Sequence, residues 1–312
     1  MINCALCKSK RIKLFHRISN YSYYECFDCS TLFLHPKPEI KKIENYYQKD
    51  FNYSAGLANE KLIRKRSRII LKNLKRLNKT GKSLLDIGSG YGYFVDEAKK
   101  LNLKIKAIEP SKNLANRSIY NDINSLYKST FDDYYEKFKE NKFDFITLIH
   151  TIEHVRDPLK TIKQATELLK PGGILFLETP NLNSHLFNAE KTAYTFLTPP
   201  DHIWIFSFRS FKFMLNSLRK NKIVKFSTYS QSEHLMGIIK RKLTFIKSGT
   251  NFLIKDKKIE KNLNSEVAKN NNPKFSIRDY KYLVFDKLLA STFTPLLNIG
   301  GYGSILELYI RK

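Results

Sequence analysis

Two groups of side chains in this sequence have types and spacings suited to chemistry. The first is Cys4-x-x-Cys7 followed by Cys26-x-x-Cys29, and the chain contains no other cysteine. Two such turns facing each other present four thiolates, the donor set of a closed tetrahedral zinc site. No histidine or carboxylate stands at ligand spacing beside them, so the expected ion is structural rather than catalytic. Two disulfides are the alternative, and the reduced thiols expected of a cytoplasmic chain argue for the metal. With all four thiols committed, none is left to act as a nucleophile.

The second group is the stretch 83–93, SLLDIGSGYGY, in which Asp86 follows an apolar run and glycines stand at 88, 90 and 92. A buried strand running into bare backbone and then a helix is built to hold a ligand against main chain. A dinucleotide fingerprint counted from Gly88 requires a third glycine at 93, where Tyr93 stands. Asp86 would repel a pyrophosphate and attract an ammonium. At the end of the next apolar run, Glu109 is placed to accept both ribose hydroxyls, with no arginine beside it for a 2′-phosphate. An acid at both strand ends suits a cationic nucleoside amino acid better than a nicotinamide dinucleotide.

The elements that must position these groups follow from pattern. At 312 residues, with 42% hydrophobic and 13% aromatic residues, the chain can hold one large α/β domain and a small appendage. Strand-like runs fall at 83–87, 105–108, 125–127, 143–149, 173–178, 223–229 and 304–311. Helical stretches at 93–101, 113–120, 158–169 and 210–220 separate most of them, and KPGG at 170–173 reads as a turn between helix and strand. Such alternation predicts a mostly parallel sheet covered by helices on both faces, with ligands at the carboxyl ends of the strands. Ahead of it, residues 1–36 read as a ribbon packed by Tyr21, Tyr23, Tyr24 and Phe33. Residues 37–80 read as a helical connector, with helices at 39–49 and 60–78.

The formal net charge is +26, and residues 61–82 carry ten Lys or Arg and no acid. A basic face for anionic partners is one explanation; lysines that solvate the surface are the simpler one. No apolar leader follows Met1, and the most apolar stretch, 283–299, is broken by Asp286 and Lys287. A cytoplasmic location is expected, with peripheral contact at an anionic inner membrane face as the variant.

Read together, LLDIGSGYGYF (84–94), AIEPS (107–111), FDFITLIHTIEHVRDP (143–158), LKPGGILFLETPN (169–181), DHIWIFS (201–207) and GSILELYIRK (303–312) resemble the class I S-adenosylmethionine-dependent methyltransferases. Within them the chain is similar to the group carrying an N-terminal zinc ribbon. The resemblance implies a Rossmann-like seven-stranded, mostly parallel sheet with an antiparallel final strand, spanning 81–312 behind the ribbon. It implies S-adenosylmethionine as cofactor, with Asp86, Gly88 and Gly90 at the methionine end and Glu109 on the ribose. The turn 129–132 should flank adenine, although KSTFD at 128–132 lacks an acid-plus-apolar signature. Ser89, Gly92, Tyr93, Pro110, Phe131 and His150 complete the expected cofactor-contacting set.

Methyl transfer to a hydroxyl needs alignment of nucleophile, methyl and sulfur, and removal of one proton. His150, Glu153, His154 and His202 are the candidate bases. His150 closes the fourth strand of the sheet, and His202 lies on 181–206, a segment expected to fold over the substrate. An imidazole there has the intrinsic pKa to accept a sugar hydroxyl proton. For Glu153 and His154 a packing and hydrogen-bonding role is the expectation, ahead of a role as base. An N-P-P-Y-type turn is missing after the fourth strand, which argues against exocyclic amines of bases. The segment 231–300, longer than a hairpin needs, should build a substrate wall or docking surface. Within it 280–297 is expected either to pack in the core or to touch a lipid surface. The acceptor is expected to be a small molecule, a sugar hydroxyl in nucleotide-linked or lipid-linked glycan biosynthesis. A quinone-like lipid phenol is the enzymatic alternative; RNA and a non-catalytic cofactor-binding module are the others.

Overall fold

The computed structural model of the protein describes residues 2–43, 60–120, 125–218, 221–231, 234–235, 238–239 and 290–312. Most of the expected 231–300 segment, including its lysine clusters and all of 280–289, therefore lies outside the described residues, as do 44–49 of the first connector helix.

Seven strands form the main sheet: β4 (Ser83–Ile87), β5 (Lys104–Ile108), β6 (Leu126–Tyr127), β7 (Phe143–Ile149), β8 (Leu169–Pro180), β10 (Lys222–Tyr229) and β11 (Ile305–Arg311). Their order is β10-β11-β8-β7-β4-β5-β6. β4 pairs in parallel with both β5 and β7, whereas β11 is antiparallel to β8 and β10. The strand order reverses at β4, which opens a crevice above the carboxyl ends of β4 and β7. The glycine turn and His150 both emerge there.

Alternation along the strands sorts the core into two layers. Leu84, Phe145, Phe176 and Tyr309 face one side, where α1 (Glu60–Leu77) and α2 (Tyr93–Lys99) bury Ile70, Leu74 and Val95 on them. Leu85, Ile146, Leu175 and Leu308 face the other. That side is covered by α4 (Phe131–Phe138), α5 (Pro158–Glu167) and α7 (Phe208–Asn216). Local chemistry starts these helices: the Asp157 carboxylate accepts from Lys160 N with Pro158 in the first turn, and Ser207 and Ser210 form a reciprocal capping box before α7. α3 (Lys112–Arg117) is capped by Ser111.

Three differences from expectation have local causes. β8 begins at Leu169, so the KPGG stretch is absorbed into the strand, with Gly172 taking φ 74. α4 was not anticipated, although Thr130 caps it and Tyr134 buries its inner face. The ribbon, too, is not a separate sheet. Its strands β1 (Ile12–Ile18), β2 (Tyr21–Cys26) and β3 (Thr31–His35) continue into β9 (Trp204–Ile205), which pairs antiparallel with β3 through Leu32–Ile205 and Phe33–Trp204. Tyr23 Oη donates to His202 O at 2.6 Å, and Thr31 Oγ1 donates to Ser210 Oγ at 2.8 Å.

The basic helix α1 turns two of its arginines inward. Arg64 pairs with Glu60, Asp96 and Glu97 at 2.6–3.0 Å, and Arg66 reaches Glu178 on β8 and Glu307 on β11. No described helix is long and apolar enough to cross a membrane.

Candidate functional site

The glycine turn is held from beneath. Gly88 N and Ser89 N both donate to Ile108 O, at 2.8 and 3.0 Å, which ties the turn to β5. Gly88, Gly90 and Gly92 all have positive φ, at 79°, 54° and 78°. A Cβ on Gly88 would lie 2.4 Å from Thr151 Oγ1, and one on Gly92 would lie 2.6 Å from Ser118 Oγ, whereas one on Gly90 would meet nothing within 4 Å. Gly88 and Gly92 are therefore glycines for packing, and Gly90 is the one facing open space.

Two buried acids flank that space. Asp86 accepts from Thr147 Oγ1 at 2.6 Å, and burial pushes its carboxyl up to about 7, with the Glu109 charge adding to the rise and Thr147 opposing it. Glu109 is also raised by burial, against hydrogen bonds from Ser111 N and Gly90 N at 2.9 and 2.8 Å. The Ser89 hydroxyl is buried and has no hydrogen-bond partner among the described residues. An open face beside Gly90, an orphaned hydroxyl and two acids that a nearby cation would return to the charged state fit a cationic nucleoside amino acid.

The other expected contacts spread out. Tyr93 starts α2 and packs on Tyr91 and on the Arg64 guanidinium 5.2 Å from its ring. Pro110 is exposed beside Glu109. Phe131 opens α4 with its ring 6.5 Å from that of Tyr135.

On the β7 side the four candidate bases stand in one chain of ionisable groups. His150 has φ 48, a left-handed conformation rare for a non-glycine residue, which aims its ring between two buried acids. Nδ1 lies 3.3 Å from Glu153 Oε1, and Nε2 lies 3.4 Å from Glu178 Oε1. Burial alone would lower its pKa, but the two carboxylates outweigh that and hold it at about 10. The two carboxylates therefore favour the protonated form of the His150 ring. His154 pairs with Asp201, Nδ1 to Oδ1 at 2.9 Å, and despite burial its pKa stands at about 9. His202 moves the other way: burial, then the His154 charge, lowers it to about 4. Its ring stacks on Phe196 and its Nδ1 contacts Phe196 O at 2.8 Å. That environment favours the neutral form of the His202 ring. Glu153 is fully buried, and its charged form is favoured by His150 and then His154 against the cost of burial.

Glu178 and its supports were not singled out by sequence reasoning. Tyr229 Oη donates to Glu178 Oε1 at 3.1 Å, while the Arg66 guanidinium lies 3.8 Å from the Tyr229 ring and contacts Glu178 Oε2 at 3.3 Å. Beside His150 lies a cavity of about 330 Å3. Segment 181–206 contributes Leu186, Glu190, Thr195 and Phe196 to its wall, and Gln231 and His234 close it from beyond β10. His234, also missed, is kept neutral by burial, its pKa down at about 4.

At the N-terminal end, Cys4 Sγ lies 3.6 Å from Cys29 Sγ and Cys7 Sγ 3.5 Å from Cys26 Sγ. Disulfides would need about 2.05 Å, whereas four thiolates at about 2.3 Å from one ion stand about 3.8 Å apart. The four thiols are free and lie close enough together to hold one metal ion.

Residues 59–218 match the family described as "Methyltransferase domain", and the chain belongs to that family. Its sheet order and glycine turn are those of a class I S-adenosylmethionine-dependent methyltransferase. Among curated relatives, it is 35% identical over 118 residues to the ubiquinone biosynthesis O-methyltransferase of Paraburkholderia phymatum, covering 35% of this chain and 49% of that protein. It is 29% identical over 164 residues to the protein of the same name from Xanthomonas campestris pv. campestris, covering 47% of this chain and 67% of the relative. The chain thus spans about half the length of the first relatives it matches. In fold it is similar to a SAM-dependent methyltransferase from Archaeoglobus fulgidus, with TM-score 0.52 and 17% identity over 84% of this chain and 100% of the other.

Proposed function

We propose that the protein transfers a methyl group from S-adenosylmethionine to a hydroxyl of a small hydrophilic acceptor, a sugar in nucleotide-linked or lipid-linked form. The cavity beside His150 carries this reading. Its volume of about 330 Å3 suits one sugar ring, and His150, Glu190, Thr195, Gln231 and His234 give it more polar groups than a hydrocarbon chain would need.

The cofactor supplies an electrophilic methyl on a sulfonium. The chain's own residues bind and orient. Gly90 main chain and the Ser89 hydroxyl receive the methionine end, Asp86 supplies negative potential beneath it, and Glu109 takes the ribose, with Pro110 and Phe131 toward the base. His150, cationic and clamped by Glu153 and Glu178, orients an acceptor oxygen or a neighbouring anionic group, and the hydroxyl proton released as the methyl is transferred passes to the neutral His234 ring in the same cavity wall. Segment 181–206 acts as the cover that excludes water. The four cysteines hold one structural zinc ion.

A phenolic acceptor is the second reading, favoured by the names of the relatives matched at 29–35% identity. Labelled methyl uptake from S-adenosylmethionine distinguishes the two. Incorporation into sugar nucleotides or glycolipids, and none into polyprenyl catechols, is the expected result; the converse overturns the sugar assignment.

A further inference from the structure

Glu153, His154 and His202 come together from two loops that the main chain stitches to each other. Ile203 N and Trp204 N both donate to Glu153 O, at 2.9 and 3.1 Å, and Trp204 Nε1 donates to Val155 O at 2.8 Å. The Tyr23 hydroxyl of the ribbon braces the His202 carbonyl from the far side. One oxygen of Glu153 and one ring nitrogen from each histidine lie within 4.8 Å of one another.

Three observations at this cluster point to a ligand rather than to packing. Glu153 is fully buried, yet its Oε2 has no hydrogen-bond partner among the described residues, a costly state for a carboxylate. Each histidine has its Nδ1 engaged by an oxygen: His154 by Asp201 Oδ1 at 2.9 Å, and His202 by the Phe196 carbonyl at 2.8 Å. That is the outer-shell pattern that orients metal-binding imidazoles. Negative charge also adjoins both rings, since Asp201 Oδ1 lies 2.9 Å from His154 Nδ1 and Asp201 Oδ2 lies 4.0 Å from His202 Nε2.

We propose that Glu153, His154 and His202 form a second metal site, distinct from the four-cysteine group, which takes a borderline divalent cation such as zinc or cobalt. A two-nitrogen, one-oxygen donor set favours such ions over magnesium or calcium. Closing around an ion at about 2.1 Å brings the donors to about 3.4 Å from one another, a movement of at most about 1.4 Å for the farthest pair. Three protein donors leave coordination positions open. The site adjoins the cavity through Glu153 on His150 and through His202 on Phe196, both of which line it. An acceptor hydroxyl reaching the ion would have its pKa lowered. That role rests on the cavity being the acceptor site; the binding of the ion does not.

Chelator-stripped full-length protein, equilibrated with Co2+ and freed of excess, should hold one more cobalt per chain than the Glu153→Gln and His202→Ala variants. All three should keep the thiolate-to-cobalt absorption of the cysteine site. Calorimetry with S-adenosylmethionine on the same samples reports the cofactor site independently, and Glu153→Gln, nearly isosteric, guards against misfolding of the alanine variant. Equal cobalt in wild type and both variants overturns the second site. Loss of cofactor binding in the wild type, with the cobalt difference intact, would sink the methyltransfer reading instead.

Discussion

Replacing Gly90 by alanine tests the division of labour within the glycine turn. The φ of 54° lies in the left-handed region, which costs an L-residue about 1 kcal/mol, and the new Cβ meets nothing within 4 Å. Folding stability should therefore fall by only about 1 kcal/mol, a shift of about 1.5 °C in melting temperature for a chain of 312 residues. The methyl would occupy the face on which the cofactor is placed, so affinity for S-adenosylmethionine should drop at least tenfold, about 1.4 kcal/mol. Gly88→Ala should behave in the opposite sense. Its Cβ would meet Thr151 Oγ1 at 2.4 Å, and that hydroxyl is tied to Ile87 O and Ile149 O at 3.0 and 3.1 Å, so it cannot swing away cheaply. Overpacking and backbone strain together cost about 2–5 kcal/mol. Adding Thr151→Ala removes Oγ1 and Cγ2 and should recover about 1–2 kcal/mol, a non-additive rescue. Thermal melts and titration calorimetry on the four proteins decide it. Cofactor affinity in Gly90→Ala within twofold of wild type, or a stability loss matching Gly88→Ala, would refute the assignment of the open face.

Two further expectations concern other parts of the fold. The chain has a single tryptophan, Trp204, fully buried in the sheet shared by the ribbon and segment 181–206. Stripping metal, or Cys29→Ala, should red-shift its fluorescence and lower the melting temperature; an unmoved emission maximum would count against metal in the cysteine group. At the start of β7 in the seven-stranded sheet, burial would raise the Asp144 pKa, but Lys170 and the Lys82 and Ser83 amides outweigh it and hold it at about 2. A depressed acid stabilises the fold above its unfolded pKa and loses that contribution as pH falls toward the folded value. Asp144→Asn should cost about 2 kcal/mol at pH 7, discounted for the partly exposed Lys170, with most of that cost gone near pH 2. A difference that persists at pH 2 in urea melts would contradict this.

What could be read from sequence was whatever depends on near neighbours. The apolar runs at β4, β7 and β11 and the amphipathic stripe of α1 carry their own periodicity, and the acid-glycine spacing of 86–92 encodes its own turn. α4 carries local signals as well, in Thr130 before Asp133 and in the 131/134/135/138 spacing of aromatics. β9 was not legible. Two residues cannot announce a strand whose partner lies about 170 positions earlier. The protonation states were likewise hidden: His150 is raised by Glu178, an ordinary-looking acid at the end of an apolar strand, and His202 is depressed by burial beside His154. The inward arginines of α1 looked like surface charge because their partners sit on α2, β8 and β11.

The pairing of β3 with β9 also sets terms for anyone who would rebuild this protein. Because the hairpin and the stretch bearing His202 share a sheet edge, they behave as one cassette. A chimera that borrows residues 181–206 from a homologue, to change which acceptor is accepted, must bring the matching hairpin with it. Cutting the hairpin away would bare Leu32's partner Ile205 and the Trp204 face together, an apolar strand edge that invites pairing between molecules.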